Sequence, residues 1–190
     1  MPPHADLLLE ERILNAAQKL WRQRGERGLT LRAVAREAGS TTPTVYKRFR
    51  NKQAILNTLA ERVRGQLNEY LFVAASIEDV CKRYLEFVEE HPHEYQLLLH
   101  SWGDVFHPGM PRPGRAWLMA QFAKRFGGKP DDYSRPVYAL FLLSHGAATL
   151  LSIPADEVSR EELRSNFLAI SETVIRESPS FATQTVVSRG

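Results

Sequence analysis

Apolar residues recur along almost the whole chain at intervals of three and four, the period of a helix. No segment alternates polar and apolar positions as a half-buried strand would. Leu9, Ile13, Ala16, Ala17 and Leu20 form a first stripe that ends near Gly25. A short second stripe, Leu31, Val34, Ala35 and Ala38, is closed by Gly39, a residue suited to the left-handed cap of a helix. Thr42 opens a third short helix, with Pro43 at a position where the missing N–H costs nothing. A fourth runs from Asn51 toward Val73 through Ile55, Leu56, Leu59, Val63 and Leu67. Five more runs are predicted over about 77–90, 95–105, 116–126, 134–153 and 160–176. Between them, 107–114 holds three prolines and two glycines and reads as a loop, and the tail from Ser178 is expected to fray. The expected fold is all-α, with about nine helices.

Residues 136–155 carry no formal charge and approach the length of a membrane span. They also hold Ser144, His145, Gly146, Thr149 and Ser152 and are bounded by prolines. This stretch is therefore read as a helix buried in protein on nearly every side.

The second and third helices, with a tight glycine turn between them, have the arithmetic of a helix-turn-helix. Val45 and Phe49, four apart, can pack on Leu31, Val34, Ala35 and Ala38, and the small alanines permit a close approach. Thr44, Tyr46, Lys47 and Arg48 are then left outward or flanking. Hydroxyls and a phenol suit base edges or phosphates, and long cations suit the DNA backbone.

Charge changes the picture in the same direction. The 190-residue chain has a net charge of only +3. Residues 1–64, however, hold thirteen Lys and Arg against six Asp and Glu, a net +7, and the remainder carries −4. No acid lies between Glu37 and Glu61, where Lys47, Arg48, Arg50 and Lys52 cluster. A basic head on an acidic body points to a polyanion partner for the head alone. Lys52 falls in the first turn of the fourth helix, where the helix dipole disfavours a cation, and a bound phosphate would relieve that conflict.

The stretch from Ile13 to about Ala60 resembles the N-terminal DNA-binding domain of TetR-family (tetracycline repressor-like) transcriptional regulators. The matching residues are Ile13-Leu-Asn-Ala-Ala17, Arg24-Gly25, Leu29-Thr-Leu-Arg-Ala-Val-Ala35, Ala38-Gly39, Val45-Tyr46, Phe49, Asn51-Lys52 and Ile55-Leu56. His91 to Leu99 and His145-Gly146 are similar to a ligand-domain subtype with a Trp-His-Gly signature, Ser144 standing where that signature has tryptophan. The resemblance implies a three-helix DNA-binding domain over 1–52, a ligand-binding and dimerisation bundle over 53–178, and a tail over 179–190. It implies a homodimer on a palindromic double-stranded DNA operator, released by a small-molecule inducer. Thr42, Pro43, Thr44, Tyr46 and Lys47 would then face bases or nearby phosphates, and Thr30, Arg48 and Lys52 would hold backbone. Arg32 and Thr41 belong to the same expected surface.

A dimer is also expected from the last two helices. Leu163, Phe167, Ile170 and Val174 form one apolar stripe. The charge-free helix before them offers Leu142, Gly146 and Leu150, small enough at Gly146 for a symmetry mate to come close. In the body, large aromatics are dense between Tyr84 and Phe141. Phe87, Trp102, Phe106, Trp117, Phe122, Tyr138 and Phe141 could wall an apolar ligand pocket, or could be ordinary core. His145 could contact a ligand, cross the dimer, or be a satisfied core histidine.

No paired-carboxylate, Gly-X-Ser-X-Gly, phosphate-loop or HEXXH motif is present, so no catalytic residue is assigned and no enzyme is expected. The histidines at 91, 93, 100 and 107 do not converge by spacing, so no metal and no cofactor is expected. Cys81 lies on an apolar stripe and reads as a buried thiol, and a single cysteine suits a reducing cytoplasm. The first residues lack the pattern of a signal peptide. Two other readings stay open: an architectural DNA-binding protein without a ligand, and a small helical enzyme.

Overall fold

A computed structural model describes residues 3–100 and 112–182. The helices are α1 (Pro3–Gly28), α2 (Leu31–Glu37), α3 (Thr42–Arg48), α4 (Lys52–Phe72), α5 (Ile77–Glu90), α6 (Pro92–His100), α7 (Pro113–Phe126), α8 (Ser134–Leu151), α9 (Glu157–Arg176) and α10 (Ser178–Ala182). A 3-10 turn, Pro130–Tyr133, precedes α8, and there is no strand among the described residues. The all-α expectation is met, and several helix limits differ from the sequence pattern. Proline initiates α6 and α7 earlier than the apolar periodicity does, because a residue without an N–H suits the first turn. Where fraying is expected from Ser178, five residues form α10, and Ser178 itself is buried.

Of the described residues, 3–66 and 91–100 form one compact unit, and 67–90 with 112–182 form the other. The sequence reading places its cut after residue 52, at the start of α4. Much of α4 belongs to the first unit because Ile55, Leu59 and Val63 are buried there with Ile13 and Ala17. Polar bonds tie the same helices: Arg62 donates to Asn15 and Glu11 at 2.7 Å each, and Gln18 donates to Gln66 at 3.0 Å. Helix α6 joins this unit through α1, its Tyr95 and Leu97 wholly buried.

In the second unit α9 packs along α8 and α5. Its core draws on Val80, Cys81, Tyr84, Leu85 and Val88 of α5, Leu140 and Ala148 of α8, and Phe167 and Ile175 of α9. Glu89 of α5 accepts from both Arg160 and Arg164 of α9, fixing one helix on the other. Those guanidiniums hold the Glu89 carboxyl below its ordinary range. No helix among the described residues is long and apolar enough to cross a membrane.

Candidate nucleic-acid interface

Local bonding builds the corner between α2 and α3. Thr30 is the N-cap of α2, its Oγ1 accepting from the Ala33 N–H at 3.1 Å. At the other end Gly39 adopts φ 60°, the Gly39 N–H reaches the Arg36 carbonyl and the Ser40 N–H reaches the Ala35 carbonyl at 2.9 Å. These two bonds are the Schellman closure, and its left-handed residue is why glycine stands there. Thr41, rather than Thr42, caps α3: its Oγ1 accepts from the Thr44 N–H at 3.3 Å and lies 2.8 Å from the Thr44 hydroxyl. Pro43 sits in the first turn.

The inward side of α3 is Val45 and Phe49, both buried, against α2. Its outward side is dictated by the same helical spacing. Pro43, Lys47 and Tyr46 are exposed, Tyr46 to 53%. Exposing a phenol that could have been buried leaves its ring and hydroxyl available to a partner. Arg32, Thr30 and Thr41 are also exposed, and Thr42, Thr44 and Arg48 are half-buried. The expected DNA-facing residues thus surround the α2–α3 corner, with two of them, Thr30 and Thr41, already engaged as helix caps.

Lys52 has a partner within the chain. Asn51 caps α4, its side-chain oxygen accepting from the Ala54 N–H at 2.9 Å. The Lys52 ammonium turns back to α1, 3.4 Å from both the carbonyl and the carboxylate of Glu26. The clash between this cation and the helix dipole is therefore already eased by an anion within the chain. A second pair, Lys19 with Glu37 at 2.6 Å, joins α1 to α2 and holds the Glu37 carboxyl below its usual range.

Several of the expected pocket residues lie in the second unit. Phe122 is wholly buried, stacked on Tyr133 at 5.5 Å and Phe126 at 6.1 Å. Trp117 pairs with Phe72 at 5.0 Å. Phe87 is buried near Tyr70, and Tyr138, half exposed, stacks on Phe141. Phe141 lies edge-on to His145 at 4.5 Å, and His145 hydrogen-bonds the Tyr84 hydroxyl at 2.9 Å. Burial pushes the His145 pKa down to about 3, so its ring is neutral near pH 7. Trp102 and Phe106, like His107, lie outside the described residues.

The expected dimer residues also divide. Leu142, Leu150 and Ile170 are about half exposed, and a side chain placed at Gly146 would meet nothing. Phe167 is instead buried within its own unit, with Leu163 and Val174 half-buried beside it. The apolar stripe on α9 is mainly the face packed on α8 and α5, because a helix with one apolar stripe satisfies its own chain first. Cys81 is buried, which pushes its thiol up to about 12 and leaves it without nucleophilic character. Among the described residues no three His, Cys, Asp or Glu side chains gather as a metal site would need.

Sequence reasoning missed Trp21, Arg22 and Glu94. The indole of Trp21 donates to the His93 carbonyl, and Arg22 donates to the carboxylate of Glu94, which is buried. The burial of Glu94 is visible only in the fold, so the sequence carried no signal for these bonds.

Residues 13–59 match the family model described as bacterial regulatory proteins, tetR family. The class D tetracycline repressor protein of Escherichia coli is 35% identical over 68 residues, covering 36% of this chain and 31% of that protein. The chain thus spans about a third of the length of the tetracycline repressors it matches. An uncharacterized HTH-type transcriptional regulator of Mycobacterium tuberculosis is 26% identical over 137 residues, 66% of this chain and 65% of that one. Among solved structures, a TetR transcriptional regulator from Streptomyces coelicolor has a TM-score of 0.67 at 21% identity, covering 90% of this chain and 98% of its own. A TetR from Acinetobacter baumannii has 0.64 at 16%, covering 90% and 96%. The structural likeness extends over the second unit and speaks for the fold there. The family model and these curated relatives describe regulators or repressors, not enzymes.

Proposed function

We propose that this chain, whose residues 13–59 belong to the TetR family of bacterial regulatory proteins, is a cytoplasmic, ligand-responsive repressor that binds a palindromic DNA operator as a homodimer. One observation carries the reading. Helix α3 anchors Val45 and Phe49 inward and presents Tyr46 and Lys47 outward, on a segment with no acid between Glu37 and Glu61. Placed in a major groove, that side offers a phenol and an ammonium to base edges and phosphates, and the capped corner sets its angle. Two such heads on a two-fold axis would meet half-sites one helical turn apart, about 34–36 Å.

The second unit supports a sensing role through its aromatic content and one neutral polar pair, Tyr84 with His145. A small, largely apolar molecule held there would shift α4, whose residues belong to both units, and so change the separation of the two recognition helices. A coupling of about 1–3 kcal/mol suffices, since it changes affinity roughly 5–150-fold.

Selection of duplexes from a random DNA pool by the full-length protein tests the assignment. The expected product is an inverted repeat whose binding weakens steeply with salt as counterions are released. A pool with no enriched duplex would overturn it. With the operator in hand, a thermal-shift screen followed by operator titration finds the inducer.

A further inference from the structure

Helix α1 is interrupted at Gly25, where φ is 56° and ψ is −149°. The turn that would close onto the carbonyl of Arg22 passes through this residue. His93, in the first turn of α6, places its Nδ1 2.7 Å from that carbonyl. A carbonyl only accepts, so Nδ1 carries the proton and donates. The same imidazole lies over Gly25, 3.5 Å from where a β-carbon would stand. Side by side with it, the Trp21 indole donates to the His93 carbonyl, and the Arg22 guanidinium donates to the carboxylate of Glu94, only 3% exposed. Three bonds therefore link two consecutive residues of α1 to two consecutive residues of α6, at the point where α1 bends.

Just beyond the bend, the helix-turn-helix begins. The Leu29 N–H bonds the Glu26 carbonyl, Leu29 is buried, and Thr30 then caps α2. The direction in which the chain leaves Gly25 is thus passed, within five residues, to the helix on which α3 packs. Burial raises the stakes at the clamp. At the buried Trp21 and Glu94 a lost partner leaves an indole N–H or a carboxylate uncompensated, which costs more than an ordinary hydrogen bond contributes, while the bond from His93 to the Arg22 carbonyl is exposed.

We propose that His93, Glu94 and Trp21 are positioning residues for DNA binding: the first turn of α6 clamps the bend of α1 at Gly25 and sets where α2 and α3 begin. The inference rests on the DNA-binding reading of α3, and it extends the DNA-binding apparatus to residues far along the chain from the matched domain. None of the three touches DNA; they act through the α1–α2 connection.

The test uses the full-length protein and its selected operator, with His93→Ala, His93→Gln and Trp21→Phe beside wild type. The glutamine amide can still donate to the Arg22 carbonyl. Hydrogen exchange is tracked at residues 24–31, with operator affinity measured at a temperature where circular dichroism shows every variant folded. H93A should speed exchange at 24–31 relative to α5 and weaken operator binding about three- to tenfold, the range of an ordinary hydrogen bond. H93Q should restore most of both, and W21F should fall between. A folded H93A that binds within twofold of wild type overturns the proposal, as does unchanged exchange at 24–31. Should H93A fail to fold, W21F with faster exchange and weaker binding supports the clamp, and W21F indistinguishable from wild type overturns it. Wild type that binds no duplex defeats the DNA-binding reading instead, and the exchange comparison still judges the clamp.

Discussion

The ammonium of Lys52 lies 3.4 Å from the carboxylate of Glu26, an ion pair between the start of α4 and the end of α1. A phosphate approaching Lys52 must therefore compete with an anion already in place. The pair is largely exposed, so its own contribution to folding is small. Glu26→Gln removes the competing anion, leaving only the Glu26 carbonyl at the ammonium, and should tighten operator binding about two- to fivefold at low salt, the range of an exposed ion pair. In a Lys52→Ala background the same change should do nothing, since the cycle removes the shared interaction. Equal effects of E26Q in both backgrounds would show that Lys52 does not meet phosphate.

Neighbouring positions on α3 should separate stability from binding. Val45 is fully buried, and Val45→Ala should cost about 2 kcal/mol by removing packed methyl groups and leaving a void. Tyr46 is exposed, so Tyr46→Ala should leave thermal stability nearly unchanged while operator affinity falls about tenfold or more, as for loss of a base-edge contact. Thermal denaturation and operator titration on both variants check this contrast. A Y46A protein that melts early but binds normally would invert the assignment of the two faces.

The head was legible in the sequence because each local signal was self-contained. Gly39 marks a left-handed cap, a threonine marks each helix start, and Val45 with Phe49 mark a single inward face. Three to five residues decide each feature, and the structure agrees with them, with only the cap of α3 moved from Thr42 to Thr41. The clamp was not legible, because Trp21 and His93 are joined across 72 residues and periodicity carries no information at that range. The facing of the body's aromatics was no easier to read. Phe122 and Tyr138 are both aromatic residues on helices, yet one is stacked in the core and the other is half exposed. Composition records how many rings a body has, while their facing depends on which helices meet.

Acid should destabilise the second unit before its carboxylates titrate. His145 has a pKa pushed down to about 3 by burial, against about 6.5 in an unfolded chain. The unfolded state therefore binds a proton that the folded state refuses, and stability is lost as pH falls from 6.5 toward 3. Between pH 7 and pH 5 this amounts to about 2 kcal/mol. Glu78 and Glu89, whose carboxyls are held below their ordinary range, lose their contributions at lower pH than that window. His145→Gln, which can still bond the Tyr84 hydroxyl, should flatten the pH dependence between 5 and 7 in denaturant titrations. An unchanged slope would mean that His145 takes up its proton in the folded protein.

The two kinds of apolar residue on α8 and α9 lead to opposite expectations for the dimer. Leu142 is 53% exposed, on the same outward row as Tyr138 and Leu150, with open space above Gly146 between them. Exposed aliphatic side chains one and two turns apart form a continuous patch, and a partner subunit that covers it removes that surface from water. Leu142→Glu places a charge at the centre of the patch and alters nothing buried in the protomer. It should halve the mass measured by light scattering at micromolar concentration and leave the melting of the monomer close to that of a wild-type protomer. Operator affinity should then fall far more than for any single phosphate contact, because one head alone holds only one half-site. Phe167→Ala should do the reverse. That ring is buried within its own unit, so its removal should cost about 3–5 kcal/mol of folding stability. Association of whatever remains folded should persist. If L142E stays dimeric while F167A alone turns monomeric without destabilisation, the contact between subunits lies on the face of α9 and not along the exposed row of α8.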